Sequence, residues 1–189
     1  MANWLIPCAE ANARGQQIEW LVLDVDGVLT DGRIYTSARG DELLAFHVHD
    51  GHGIRLWQRA GKQVAVISGR TSAAARARCA DLGITHIYQN APDKVAALAE
   101  LLHTAQASAA QVCYCGDELM DVPLLERVGL AVAVANAVPE ALRAAQLVTT
   151  RPGGAGAVRE VIEIVLQMQG RWHDVTARYS DQAMQGSMQ

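Results

Sequence analysis

Trp20-Leu21-Val22-Leu23-Asp24-Val25-Asp26-Gly27-Val28-Leu29-Thr30 is the stretch that decides the fold of this chain. Its first half is uniformly apolar, as expected of a parallel strand buried on both faces. At the strand's carboxyl end stand two carboxylates, Asp24 and Asp26. With one residue between them, both side chains leave an extended backbone on the same side. Charges removed from water are costly unless paired or bound to a cation. Gly27 then permits a tight turn whose backbone N–H groups can face an anion. The pattern suits Mg2+ and a phosphate, with one carboxylate as nucleophile. On its own it also fits an ordinary turn, because Asp and Gly are common turn residues.

Outward from this stretch, strand and helix alternate. Residues Trp4 to Arg14 read as a short outer helix, and Trp20 to Val25 as strand 1. Gly32 to Val48 reads as a hairpin, with apolar residues flanking Ser37-Ala38-Arg39-Gly40-Asp41. A helix from about Gly53 to Arg59 stops at Gly61. Further strands are expected at Val64–Ile67, Ile84–Tyr88, Val112–Cys115, Leu130–Val134 and Leu147–Thr149. Thr71 or Ser72 caps the helix closed by Gly83, and Pro92 opens another that carries Lys94 in its first turn. Gly153-Gly154-Ala155-Gly156 leads into a last helix reaching about Gln169. Residues 1–170 therefore form one α/β domain, a doubly wound parallel sheet covered by helices, and 171–189 a polar, mobile tail.

Composition agrees. The 189 residues suffice for one core, and with 50% hydrophobic but only 5% aromatic residues, that core is filled by aliphatic side chains. A net charge of −4 offers no footprint for nucleic acid or an anionic membrane surface. No apolar run approaches the roughly 20 residues needed to span a bilayer. Pro7 and Glu10 come early without a basic segment, so no signal peptide is read and the cytoplasm is expected. Cys8 and Cys79 fall on helices. Cys113 and Cys115 share one strand face, where a zinc half-site lacks a second pair, so buried thiols are expected.

Ligands of open parallel sheets bind at the carboxyl ends of strands, and Asp24, Asp26, Ser68, Lys94 and Asp117 all fall there. Phosphoryl transfer needs mainly positioning and charge neutralisation. Asp24 is assigned as the nucleophile that forms an aspartyl-phosphate. Asp26 protonates the leaving oxygen, then takes a proton from the hydrolytic water. The Ser68 hydroxyl and Gly69 N–H bind phosphate oxygens, and Lys94 adds positive charge while keeping Asp24 ionised. Asp24, Asp117 and the Asp26 carbonyl surround Mg2+, and Asp121 acts through water or fixes Lys94. Individually, each has a plainer reading: Ser68 as a cap, Lys94 as a solvated lysine, Asp117 as a turn residue, Asp121 as an N-cap.

The ordered set Asp24-Val25-Asp26-Gly27, Ser68, Lys94 and Gly116-Asp117-x-x-x-Asp121 resembles the haloacid dehalogenase superfamily of phosphohydrolases over about Trp20 to Leu166. The resemblance implies a Rossmann-like fold, Mg2+ dependence and the residue roles above. Most members insert a cap domain after the first or third strand. Here those gaps hold only a hairpin and a helix, or a helix and a strand, so no cap domain is expected. A neighbouring subunit would then close the open site, with the hairpin at about 32–48 making the contact.

The strings DVDGVLTDG from Asp24, Phe46 to Ile54, and Gly153 to Glu160 resemble the capless, tetrameric branch of that superfamily. Its members release phosphate from an eight-carbon sugar acid during lipopolysaccharide synthesis. That likeness implies a sugar-acid phosphate as substrate, a homotetramer and Arg70 as a substrate contact, with Arg159 as a weaker candidate. Glu118 replaces a second aspartate common in the branch, and His49 replaces a more basic residue. His47, His49 and His52 present an alternative zinc or nickel site on a strand. Two rival functions remain at this point: a receiver-type switch that retains its phosphate, and a phosphatase of nine-carbon sialic-acid-type sugar phosphates.

Overall fold

The structure is a computed structural model and describes residues 3–179. One mixed sheet forms the centre, with strands β1 (Asn3–Trp4), β2 (Trp20–Leu23), β5 (Gln63–Ile67), β6 (His86–Tyr88), β7 (Val112–Gly116), β8 (Leu130–Ala133) and β9 (Leu147–Val148). Their spatial order is β1-β9-β8-β7-β2-β5-β6. All neighbours run parallel except β1, which pairs antiparallel with β9 at the edge. From β2 the chain winds outward through β5 and β6, then returns to the other side of β2 for β7 and continues outward. The strand order therefore reverses between β2 and β7. In open α/β sheets, such a switch point opens a crevice above the strand ends.

The helices form two groups. α1 (Cys8–Gln17) and α2 (Val48–Arg59) both pack against α7 (Ala157–Met168), while α5 (Val122–Leu125) contacts both α4 (Lys94–Ala105) and α6 (Pro139–Ala144). α3 (Ala73–Asp81) is capped by Ser72, whose hydroxyl accepts from Ala75 N at 3.1 Å. The central strands are wholly buried, with Leu21, Val22, Leu23, Ala65, Val66, Cys113 and Tyr114 at 0% exposure. Cys79, Cys113 and Cys115 are buried free thiols, and Cys8 is an exposed one. Two of the three glycines before α7 press on the turn after β2: a Cβ on Gly153 would collide with Gly27 O, and Gly154 N donates to Val28 O at 3.0 Å. A buried carboxylate, Asp50, fixes that arrangement by accepting from Gly156 N and Arg159 N at 3.2 and 2.8 Å.

Several expectations need correction. Trp4 lies in β1, not in a helix, and α1 starts only at Cys8. The hairpin is present but short: β3 (Tyr35–Thr36) pairs with β4 (Glu42–Leu43), and Val48 already belongs to α2. His49 and His52 are therefore helical, and His47 is the N-cap of α2, its Nδ1 accepting from His49 N at 3.2 Å. This disposes of a strand-borne His-x-His chelate. The tail expected from 171 begins as a helix, α8 (Trp172–Thr176), followed by a 3-10 turn over Ala177–Tyr179, with Val175 buried. Residues 180–189 of that expected tail lie outside the described residues.

Candidate active site

β2 and β7 lie side by side in register, Leu23 opposite Cys115, and Asp24 N donates to Cys115 O at 3.1 Å. The residues that follow each strand, Asp24 and Asp117, thus emerge together at the switch point. Together with Asp121 they form a cluster whose carboxylate oxygens lie within 4.8 Å of one another. The approach depends on Gly27, which sits at φ +89° and has no room for a Cβ beside Asp117 Oδ2. Thr30, fully buried, organises the turn: its hydroxyl accepts from Gly27 N and Gly32 N at 3.3 and 3.2 Å and donates to Val25 O.

Lys94, at the first position of α4, reaches the cluster from below. Its ammonium stands 2.8 Å from Asp24 Oδ1 and 2.6 Å from Asp121 Oδ1. Burial alone would push the lysine down, but these two carboxylates outweigh it and hold Lys94 above the ordinary lysine range. Asp121 is fully used: Lys94 and the Tyr114 hydroxyl donate to Oδ1, the latter at 2.6 Å, while Asp117 N and Glu118 N donate to Oδ2 at 2.9 and 3.0 Å. It fixes Lys94 and the turn after β7 and has no free oxygen for a metal. Burial and the Asp121 charge push the Tyr114 hydroxyl well above the usual tyrosine range, so it remains a donor.

The remaining acids are only partly compensated. Burial pushes Asp24 up to about 6, against the opposing pull of Lys94. Burial and the charges of Asp24 and Asp121 push Asp117 up to about 7. Asp117 Oδ1 is buried with no hydrogen-bond partner. Buried polar atoms are rarely left unpaired. An all-oxygen donor set with surplus negative charge and an orphaned carboxylate oxygen fits a hard divalent cation such as Mg2+.

Above the cluster opens a cavity of about 410 Å3, lined by Asp24, Asp26, Gly32, Ile34, Ser68, Gly69, Arg70, Asp117, Glu118 and Met120. Six of the sequence-predicted residues thus share one space: Asp24, Asp26, Ser68, Gly69, Arg70 and Asp117. Lys94 and Asp121 lie beneath its floor. The Asp26 carboxylate stands apart from the acid cluster, held by Arg70 Nε and Nη2, each at 3.0 Å. The three histidines form no metal-ligating group among the described residues. His52 meets Tyr179 and Arg159 instead. Sequence reasoning missed Thr30, Glu42 and Tyr114. For Tyr114 a signal existed, a lone hydroxyl within an apolar strand two residues before Gly116-Asp117.

Residues 80–162 match the family model described as haloacid dehalogenase-like hydrolase. The 3-deoxy-D-manno-octulosonate 8-phosphate phosphatase of Escherichia coli (strain B / BL21-DE3) is 47% identical over 163 residues, 86% of this chain and 87% of that protein. The crystal structure of the phosphatase of that name from Yersinia pestis superposes with a TM-score of 0.85 at 43% identity, covering 91% of this chain and 96% of that one. A structure of the Moraxella catarrhalis phosphatase, in complex with magnesium, phosphate and KDO, gives a TM-score of 0.90 at 34% identity, covering 92% and 100%. With no cap domain among its described residues, the chain is a phosphoric monoester hydrolase and belongs to the haloacid dehalogenase superfamily, in the branch of the 3-deoxy-D-manno-octulosonate 8-phosphate phosphatases.

Proposed function

We propose that the protein is a Mg2+-dependent phosphatase that hydrolyses 3-deoxy-D-manno-octulosonate 8-phosphate to the free sugar acid and phosphate, in lipopolysaccharide biosynthesis. The observation that carries this reading is the meeting of Asp24, Asp117 and Lys94 under an open cavity, with Asp117 Oδ1 unpaired. The relatives bear the substrate's name, and one of them was crystallised with magnesium, phosphate and KDO.

Asp24, Asp117 and the Asp26 carbonyl would hold the ion, which supplies positive charge to the phosphate oxygens when bound. An Asp24 oxygen attacks phosphorus in line with the leaving group and becomes an aspartyl-phosphate. Lys94 keeps that carboxylate ionised and aimed upward. Asp26 gives a proton to the departing sugar oxygen, then receives one from the water that attacks the intermediate. The Ser68 hydroxyl and Gly69 N–H line the cavity where phosphate oxygens would sit. Arg70 spends three of its five N–H donors on Asp26 and Glu42, leaving two for the sugar acid's carboxylate or hydroxyls.

An open site favours a homo-oligomer, a tetramer by likeness to the branch. Ile34, Tyr35, Leu43 and Val48, in and next to the hairpin, are exposed apolar residues on which subunits would meet. The enzyme is read as cytoplasmic, and its net charge of −4 speaks against a nucleic-acid or anionic-membrane partner; no helix of the described residues is long and apolar enough to cross a membrane.

The test is a screen of eight-carbon and nine-carbon sugar-acid phosphates with Mg2+, read as released phosphate, comparing the natural protein with Asp24→Asn. Continuous turnover that is strongest on the eight-carbon ester and absent from the variant is expected. Preference for the nine-carbon ester would reassign the substrate. A fully active Asp24→Asn protein would remove the nucleophile.

A further inference from the structure

Arg70 lies between two carboxylates that belong to different segments. Nε and Nη2 grip both oxygens of Asp26, and Nη1 donates to Glu42 Oε2 at 2.8 Å. Glu42 sits on β4 of the hairpin, and its other oxygen accepts from the Ser72 hydroxyl, the cap of α3. Glu42 is therefore pinned from two directions. The planar guanidinium fork transmits that fixed position to Asp26, because a two-pronged pair sets direction as well as distance. Held this way, the Asp26 side chain is fixed in position and direction at the cavity wall.

We infer that Glu42 is a positioning residue for the second half of the reaction, holding Asp26 through Arg70 in place to receive the proton of the hydrolytic water. In that step the water oxygen bonds to phosphorus. The bond from phosphorus to the Asp24 oxygen breaks, its electron pair returning to the Asp24 carboxylate, and the water's proton passes to Asp26. Glu42 touches none of the reacting atoms. The inference rests on the aspartyl-phosphate reading proposed above and adds the group that orients its base.

The experiment is stopped-flow hydrolysis of p-nitrophenyl phosphate with Mg2+ by the natural protein, Glu42→Ala and Glu42→Gln. Nitrophenolate leaves without needing a proton, so the first step reports attack by Asp24 and the later phase reports hydrolysis of the intermediate. For Glu42→Ala we expect a burst of about one nitrophenolate per site. The steady rate after it should be about tenfold below that of the natural protein, part of the 10²–10⁴-fold typical of an acid–base group. Glu42→Gln, which keeps one acceptor, should fall between the two. An unchanged steady rate overturns the inference. So does a reduced burst with a normal rate per active site, which is the mark of a purely structural role. A slowed reaction without a burst also overturns it, by placing Glu42 in the first step. The nucleophile reading fails separately, by turnover in Asp24→Asn.

Discussion

Gly27 and Asp117 compete for one space: a methyl group on Gly27 would collide with Asp117 Oδ2. The same glycine holds φ at +89°, a conformation that other residues adopt only with strain. Gly27→Ala should therefore lower stability by about 1–3 kcal/mol and displace the Asp117 carboxylate, the proposed metal ligand. Denaturant melts and calorimetric titration with Mg2+ would read both effects. A variant with undiminished magnesium affinity would show that Asp117 is not a ligand.

Magnesium should stabilise the folded protein, and more strongly at pH 8 than at pH 5. Asp24 at about 6 and Asp117 at about 7 bind protons more tightly folded than unfolded, where aspartate lies near 3.8. The stability contributed by those protons is complete below about 4 and is lost as pH rises through 6 to 7. A cation replaces the protons above that window and competes with them below it. Thermal melts with and without Mg2+ at the two pH values would measure this. Equal shifts at both would sink the prediction.

Lys94→Met removes the one buried cation between Asp24 and Asp121. Leaving buried carboxylates unpaired costs about 3–5 kcal/mol, and phosphate release should fall to background. Because protons can neutralise the stranded acids, the stability deficit should shrink between pH 8 and pH 5. Urea denaturation at both pH values is the check, and a deficit that grows toward acid pH would contradict it.

Tyr114→Phe takes one of four donors from Asp121 without altering the shape of the strand. Loss of a buried hydrogen bond to a charged group costs about 1.5–3 kcal/mol. We expect that drop in urea denaturation with a reduced kcat and an unchanged KM, since the cavity wall is untouched. A raised KM with normal kcat would mean that the hydroxyl serves substrate binding instead.

The sheet and the acid cluster were legible because strand ends carry their own punctuation. An apolar run stopping at Asp24, at Ser68 or at Gly116-Asp117 predicts both the strand and the loop above it, and packing a doubly wound sheet brings those loops together. What escaped was set by contacts distant in sequence. Gly51 and Gly53 lie inside α2 because a Cβ there would crowd Arg78 and Arg159. Read locally, those glycines and the alternation through Phe46 to Val48 mark the end of a strand rather than a helix. Trp4 has no strand signal of its own, since its partner Leu147 arrives only when β9 is laid down. Glu42 was invisible for the same reason: an acid on a short hairpin gains meaning only through Arg70.

The antiparallel pair of Asn3–Trp4 with Leu147–Val148 covers an otherwise bare margin of the sheet. Proteolytic trimming ahead of Leu5 would strip that cover and leave unpaired the backbone donors and acceptors on the side of β9 that faces away from β8. Uncovered strands of this kind recruit other chains. A few lost residues at the amino end would thus turn a well-behaved enzyme toward clumping, by a path that touches no catalytic group.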